Sequence, residues 1–258
     1  MDAFFIPDGD RFLPTDHTRG PWSAEHQHGG PPSALLARAI EQVPTGGLPM
    51  LVTRMTVELL RAVPISPLTV RTEVLRPGKK VQLVGASLLS NDVELVRATA
   101  LRIRTADVTF SFPPPPPPHP LPDAATPFVF PFFRERTGYH RAMEVRIARG
   151  TFGTGALTAW MRMLHPLLPD EKPTPLQRVM IAADSGNGLS VALDVSRYTF
   201  INPDLTVHLH RHPVGEWVCL DAVTLPEHHG VGLAQSALYD EQGPLGRSLQ
   251  SLLLEARS

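Results

Sequence analysis

Apolar and polar positions alternate over four stretches of the first half of the chain, near residues 51–62, 67–76, 80–90 and 93–104, and this period of two predicts four strands. Pro64, Pro67, Pro77-Gly78 and Asn91-Asp92 punctuate them, as expected for an antiparallel meander. Ahead of the strands the period changes. Leu35, Leu36, Ala39, Ile40 and Val43 share one face of a helix that opens at His28-Gly29-Gly30-Pro31-Pro32-Ser33. Glycine permits a tight entry, and proline is tolerated in a first helical turn, whose N–H groups lack intrahelical partners. An apolar helical face followed by a meander predicts a helix lying against a sheet.

The second half offers strands near 141–149 and 152–163 and a helix over 175–192, in which Leu176, Val179, Met180 and Ala183 align. Antiparallel strands follow near 196–212, 216–226, 231–240 and 245–256. Leu205-Thr206-Val207-His208-Leu209-His210-Arg211 repeats Met55-Thr56-Val57-Glu58-Leu59-Leu60-Arg61, with Thr, Val, Leu and Arg matching at an offset of 150. One architectural unit is used twice. Solenoid repeats run to roughly 20 to 50 residues, so a repeat this long implies two similar halves packed together.

Between the halves, Phe112 precedes Pro113 to Pro118, His119-Pro120 and Pro122. Such a run cannot donate to a ladder and favours extended polyproline conformation. It reads as a stiff spacer or as a motif for a proline-binding domain. The expected division is a first unit over 1–108, a proline-rich linker over 109–135 and a second unit over 136–258.

Composition narrows the partners. With 24 basic and 25 acidic residues the formal net charge is -1, which gives nucleic acid or an anionic membrane no attracting field. Cys219 is the single cysteine, so neither an intramolecular disulfide nor a cysteine-based metal site can form within the chain. The start, Met1-Asp2-Ala3-Phe4-Phe5, lacks a signal-peptide pattern, and no apolar run reaches the roughly 20 residues of a membrane span. A cytoplasmic protein is expected.

Several local words sharpen the picture: His28-Gly29-Gly30 at the first helix, Glu58-Leu59-Leu60-Arg61 on the next strand, Asp204 through Arg211, Glu216-Trp217, and Gly243 through Gln250. In this order and spacing the chain resembles the acyl-CoA thioesterase II family. The resemblance covers most of both halves and implies an α+β double hotdog fold, two tandem units each with a long helix wrapped by an antiparallel sheet. It further implies hydrolysis of fatty acyl-CoA to free fatty acid and coenzyme A by direct water attack, without a cofactor, and a homodimer or higher homo-oligomer.

In that family an Asp, a Thr or Ser and a Gln position the attacking water. The resemblance puts these roles on Asp204, Thr224 and Gln250, with Asp204 as base. It places the oxyanion at the start of the first helix, at Gly29 or Gly30, where free N–H groups and the positive helix end suit negative charge; His28 would assist in binding. At the repeat offset Asp204, Thr224 and Gln250 correspond to Arg54, Val74 and Ala100, which predicts one active site, assembled on the second half.

Other readings of the same residues stand beside these. Asp204 also suits an Asn202-Pro203-Asp204 turn, Thr224 a plain strand position, Gln250 a surface position, and the glycines close helix packing. Thr224 follows Trp217, and Gln250 follows Gly243, one residue sooner than in the family pattern. Asp184, in the helix-poor run Asp184-Ser185-Gly186-Asn187-Gly188, is the reserve candidate for the base. His208, His210 and His212 alternate, but without an evident carboxylate or fourth ligand no metal is expected. No Gly-x-Ser-x-Gly elbow occurs, which argues against a serine hydrolase. The alternative from another class is a non-catalytic acyl-CoA or lipid-binding protein on the same fold.

Overall fold

In a computed structural model, residues 2–113 and 119–257 are described. Of the proline run only Pro113 falls inside these limits, so the spacer expected of Pro114 to Pro118 lies outside the described residues. The first half contains a hairpin of β1 (Phe5–Asp8) and β2 (Arg11–Pro14), the helix α1 (Gly30–Gln42), and β3 (Met50–Leu59), β4 (Leu68–Arg76), β5 (Val81–Ser90) and β6 (Val93–Arg104). The meander is the one that the alternation predicts. Asn91 and Asp92 have φ of 49° and 61°, the two left-handed positions of a tight hairpin turn joining β5 to β6.

The second half contains β7 (Thr126–Phe128), α2 (Tyr139–Ala142), β8 (Met143–Gly150), β9 (Ala156–Met163), α3 (Pro175–Ala183), α4 (Gly186–Leu189), β10 (Tyr198–Ile201), β11 (Asp204–Leu209), β12 (Val218–Pro226), β13 (Val231–Asp240) and β14 (Gly243–Ala256). All the strands join one antiparallel sheet in the order β1-β2-β4-β5-β6-β3-β11-β14-β13-β12-β9-β8-β7, with β10 beside the far end of β14. The two units meet at β3 and β11. β7 comes from the span expected to be linker, and it extends the sheet by pairing with β8.

Two expected elements are interrupted. The helix expected over 175–192 stops at Ala183 and resumes as α4 at Gly186. The strand expected over 196–212 divides at Asn202-Pro203, because proline cannot donate to the ladder. The Asp204 carboxylate then accepts the Ser251 N–H at 2.8 Å, at the gap in the edge where β14 passes from β11 to β10.

α1 packs against α3 and against β3 to β6, and α3 in turn against β9, β11 and β12. Leu35, Leu36 and Ile40 of α1, and Leu176, Val179 and Met180 of α3, are at most 1% exposed. α1 is buried on more sides than its amphipathic stripe implies, because α3 covers a second flank. The approach is close at Gly30, where a Cβ would stand 2.5 Å from the Ile181 carbonyl oxygen. The buried Arg102 guanidinium, from β6, donates to the Val43 carbonyl at 2.9 Å and also to that of Ile40, capping the end of α1.

Candidate active site

The break after α3 follows from its sequence. Asp184-Ser185-Gly186-Asn187-Gly188 has little preference for helix, and the sheet supplies partners for the backbone groups that the break releases. Gln250, 1% exposed on β14, donates from Nε2 to the Asp184 carbonyl at 3.1 Å, while its Oε1 accepts the Asn187 N–H at 3.0 Å. A buried amide is thereby satisfied at both ends. Gly186 permits this approach, since a Cβ there would lie 2.8 Å from Ser236 Oγ and 3.1 Å from Gln250 Oε1.

The Asp184 side chain, itself buried, has both carboxylate oxygens engaged. Oδ1 accepts from Asn202 Nδ2 at 2.9 Å and from Gln250 Nε2 at 3.3 Å. Oδ2 lies 3.0 Å from His28 Nδ1. The His28 ring stacks on Tyr139 with centroids 3.8 Å apart and planes at 4°, and the Tyr139 hydroxyl donates to the Ile181 carbonyl at 2.7 Å and lies 2.8 Å from Ser185 Oγ. Burial pushes the Tyr139 phenol up, so it remains a donor.

His28 Nδ1 also receives the Gly30 N–H at 3.0 Å. One nitrogen cannot accept from Gly30 and donate to Asp184 at once, so a proton reaching Nδ1 exchanges one partner for the other. Burial holds His28 below the usual imidazole range, against the opposing pull of Asp184, and so favours the neutral ring.

The start of α1 completes the group. Gly29 is its N-cap, and a Cβ on Gly29 would stand 2.8 Å from Asp184 Oδ2. Pro31 and Pro32 have no N–H, Gly30 donates to His28, and Gly29 N–H has no acceptor among the described residues. One donor without an acceptor among the described residues therefore stands at the positive helix end, on a residue whose Cβ position faces Asp184.

Beside it is a cavity of about 550 Å³ between the two halves. His28, Gly29, Leu59 and Val63 line it from the first unit, Asp184, Asn202 and Phe200 from the second, and Phe130, Phe132 and Phe133 from the middle segment. Trp22 stands at its edge, against Phe200 at 5.2 Å and Phe132 at 6.4 Å between ring centroids. The chamber is thus mainly apolar, and the Asp184 carboxylate, the His28 imidazole and Gly29 adjoin one another in its lining. Such a group is suited to activating water beside a carbonyl whose oxygen takes the N–H.

The residues singled out in the sequence divide accordingly. His28, Gly29, Asp184 and Gln250 come together, with Gly30 one residue behind. Thr224 stands near them but bonds Ser190 Oγ at 2.7 Å, and Ser190 Oγ donates to the Gly186 carbonyl, so the pair braces α4. Neither Thr224 nor Gln250 lines the cavity. Asp204 is not in the group: its carboxylate serves Ser251, and only its backbone carbonyl touches the network, accepting from Asn202 Nδ2 at 3.2 Å. Asn202 and Tyr139 were not singled out. Asn202 could be read only as part of a turn, and nothing in the local sequence marks Tyr139. His208 and His210 are exposed, and His212 Nε2 pairs with the Val52 carbonyl at 3.0 Å; the alternation ends with β11 at Leu209.

Residues 18–103 match the acyl-CoA thioesterase N-terminal domain, and residues 113–254 match the acyl-CoA thioesterase C-terminal domain. The chain belongs to the acyl-CoA thioesterase family. It is a thioester hydrolase with the α+β double hotdog architecture. Among solved structures it is similar to a hot dog fold protein from Alicyclobacillus acidocaldarius, at 16% identity and a TM-score of 0.74, covering 98% of this chain and 96% of that one. It is also similar to the tesB protein of Mycobacterium avium subs paratuberculosis, at 17% identity and a TM-score of 0.69, covering 97% and 96%. A third, the acyl-CoA thioesterase II TesB2 of Mycobacterium marinum, gives 17% identity and a TM-score of 0.65, covering 97% and 95%. No curated protein matches the chain by sequence. No helix among the described residues is long and apolar enough to cross a membrane.

Proposed function

We propose that this thioesterase hydrolyses fatty acyl-CoA, and that Asp184 rather than Asp204 activates the water. The observation that carries the reading is the Asp184 carboxylate, 4% exposed, facing the first turn of α1 across the floor of an apolar cavity. The acyl group occupies the cavity, and the thioester carbonyl lies beside Gly29. Water held by Asp184 Oδ2 attacks the carbonyl carbon and its proton passes to the carboxylate, while the oxyanion accepts the Gly29 N–H. Collapse of the tetrahedral intermediate breaks the C–S bond. The thiolate of coenzyme A takes up the proton and the fatty acid departs. His28 Nδ1, 3.0 Å from Asp184 Oδ2, shares the proton in transit. Gln250 and Asn202 act as positioning residues, through their bonds to the Asp184 backbone and carboxylate.

The test is thiol release from a panel of acyl-CoAs of increasing chain length, by wild type and Asp184→Asn. Loss of turnover in a folded variant that still binds substrate supports the reading. Wild-type turnover that survives Asp184→Asn overturns the assignment of the base.

A further inference from the structure

Outside the lining of the cavity, three potential ligands converge from three separate segments. Asp2 precedes β1, His17 lies in a short turn (Asp16–Thr18) after β2, and His165 follows β9. One ligand atom from each lies within 4.8 Å of the other two. The backbone fixes this convergence. Phe4 N–H donates to the Pro166 carbonyl and Phe5 N–H to that of Leu167, both at 3.0 Å, which brings Asp2 to His165. Thr15 N–H donates to the Phe4 carbonyl at 2.9 Å, and Thr15 Oγ donates to that of Ala3 at 2.7 Å and accepts the His17 N–H, which sets His17 beside both.

A second observation points to a ligand. His17 Nδ1 is buried with no hydrogen-bond partner among the described residues. Such a nitrogen lacks the donor or acceptor that burial ordinarily demands. The His17 and His165 rings stack with centroids 4.1 Å apart and planes at 19°.

We propose that Asp2, His17 and His165 bind one divalent transition-metal ion of the zinc class and tie the N-terminal segment to the second half of the molecule. Two imidazoles and a carboxylate are a donor set for zinc, with water in the fourth tetrahedral position, and they do not suit calcium or magnesium, which take oxygen ligands. Because the rings are nearly parallel, their lone pairs converge only after one imidazole turns about its Cβ–Cγ bond. The segment that follows His17 carries Trp22, His28 and Gly29 to the cavity, so the ion anchors the base of a cavity wall without entering the reaction.

The test is calorimetric titration of the full, untagged chain with Zn²⁺, using Mg²⁺ as the control cation, for wild type, Asp2→Asn, His17→Gln and His165→Gln. The expected result is one equivalent bound by wild type, at least about tenfold weaker binding in each histidine variant, and no response to Mg²⁺. The thermal midpoint should rise with Zn²⁺ by more in wild type than in the histidine variants at the same concentration. If His17→Gln fails to fold, His165→Gln provides the same comparison from another segment. Absence of a one-equivalent site in wild type, or equal affinity in the histidine variants, overturns the proposal.

Discussion

Thr56 on β3 and Thr206 on β11 are cross-strand partners, with their hydroxyls 3.3 Å apart. Leu205 pairs with Val57, the repeat mate of Val207, and Val207 pairs with Met55, the repeat mate of Leu205. The 150-residue offset is therefore centred on a pseudo-twofold axis between these threonines, where the two sheets become one.

The two helix ends are not equivalent. Asp184, at the end of α3, faces the N-cap of α1; its counterpart is Glu41, near the end of α1, which faces the N-cap of α3. There the N-cap is Thr174, which bonds the N–H of Gln177 and donates its hydroxyl to Glu41 Oε2 at 2.7 Å. Where Gly29 leaves space, Thr174 places a hydroxyl that Glu41 holds. Arg102 closes the end of α1 with a cation, whereas Gln250 serves α3 with a neutral amide.

Thr174→Ala should therefore lower stability by about 1–2 kcal/mol, through loss of the cap, and leave thiol release unchanged. Burial raises Glu41 above its ordinary 4.5, against hydrogen bonds from Thr174 and Gln177 and the charges of Arg102 and Arg178. A raised carboxylate contributes stability that is fully present below 4.5 and lost as pH rises through the folded value. Denaturation across that window should show this loss in wild type, and Glu41→Gln should remove it.

Asp184→Asn and Asp204→Asn separate two carboxylates that look alike in sequence. Asp184→Asn should lower kcat by about 10²–10⁴-fold with little loss of stability. Asp204→Asn weakens the bond to Ser251 N–H and should cost about 1 kcal/mol with turnover close to wild type. Steady-state kinetics and urea denaturation of both variants are the measurements.

Gly29→Ala and Gly30→Ala should fail differently. At Gly29 the new methyl meets a carboxylate oxygen, so Asp184 must move and turnover should fall at least about tenfold, with a stability loss of about 1 kcal/mol. At Gly30 it meets the Ile181 backbone, which cannot move without parting the helices, so thermal stability should suffer more, by about 2–3 kcal/mol.

Gln250→Ala leaves the Asp184 carbonyl and the Asn187 N–H unpaired in the interior. A loss of about 2–3 kcal/mol is expected, from chemical denaturation. Turnover should fall as well, and Gln250→Glu should rescue neither, because it sets a second buried carboxyl against the Asp184 carboxylate and carbonyl.

Much of the architecture was legible because its causes are local. Alternation along β3 to β6 and β12 to β14, the Asn91-Asp92 turn and the glycines opening α1 each state their structure within a few residues, and the repeat states that the unit occurs twice. The breaks after Ala183 and Ile201 were less plain. Asp184-Ser185-Gly186 and Asn202-Pro203-Asp204 both carry turn chemistry, and nothing in either run says which carboxylate faces the cavity.

That choice belongs to tertiary packing. The sequence by itself determined the elements, their duplication and the residue types available for chemistry, because periodicity and turn preference act over short spans of chain. Only the folded molecule decided that Asp184 meets His28, Gly29, Asn202 and Gln250, while Asp204 mends a ladder. Those positions are far apart in the chain, and the docking of α3 against α1 and the register of β14 bring them within hydrogen-bond distance.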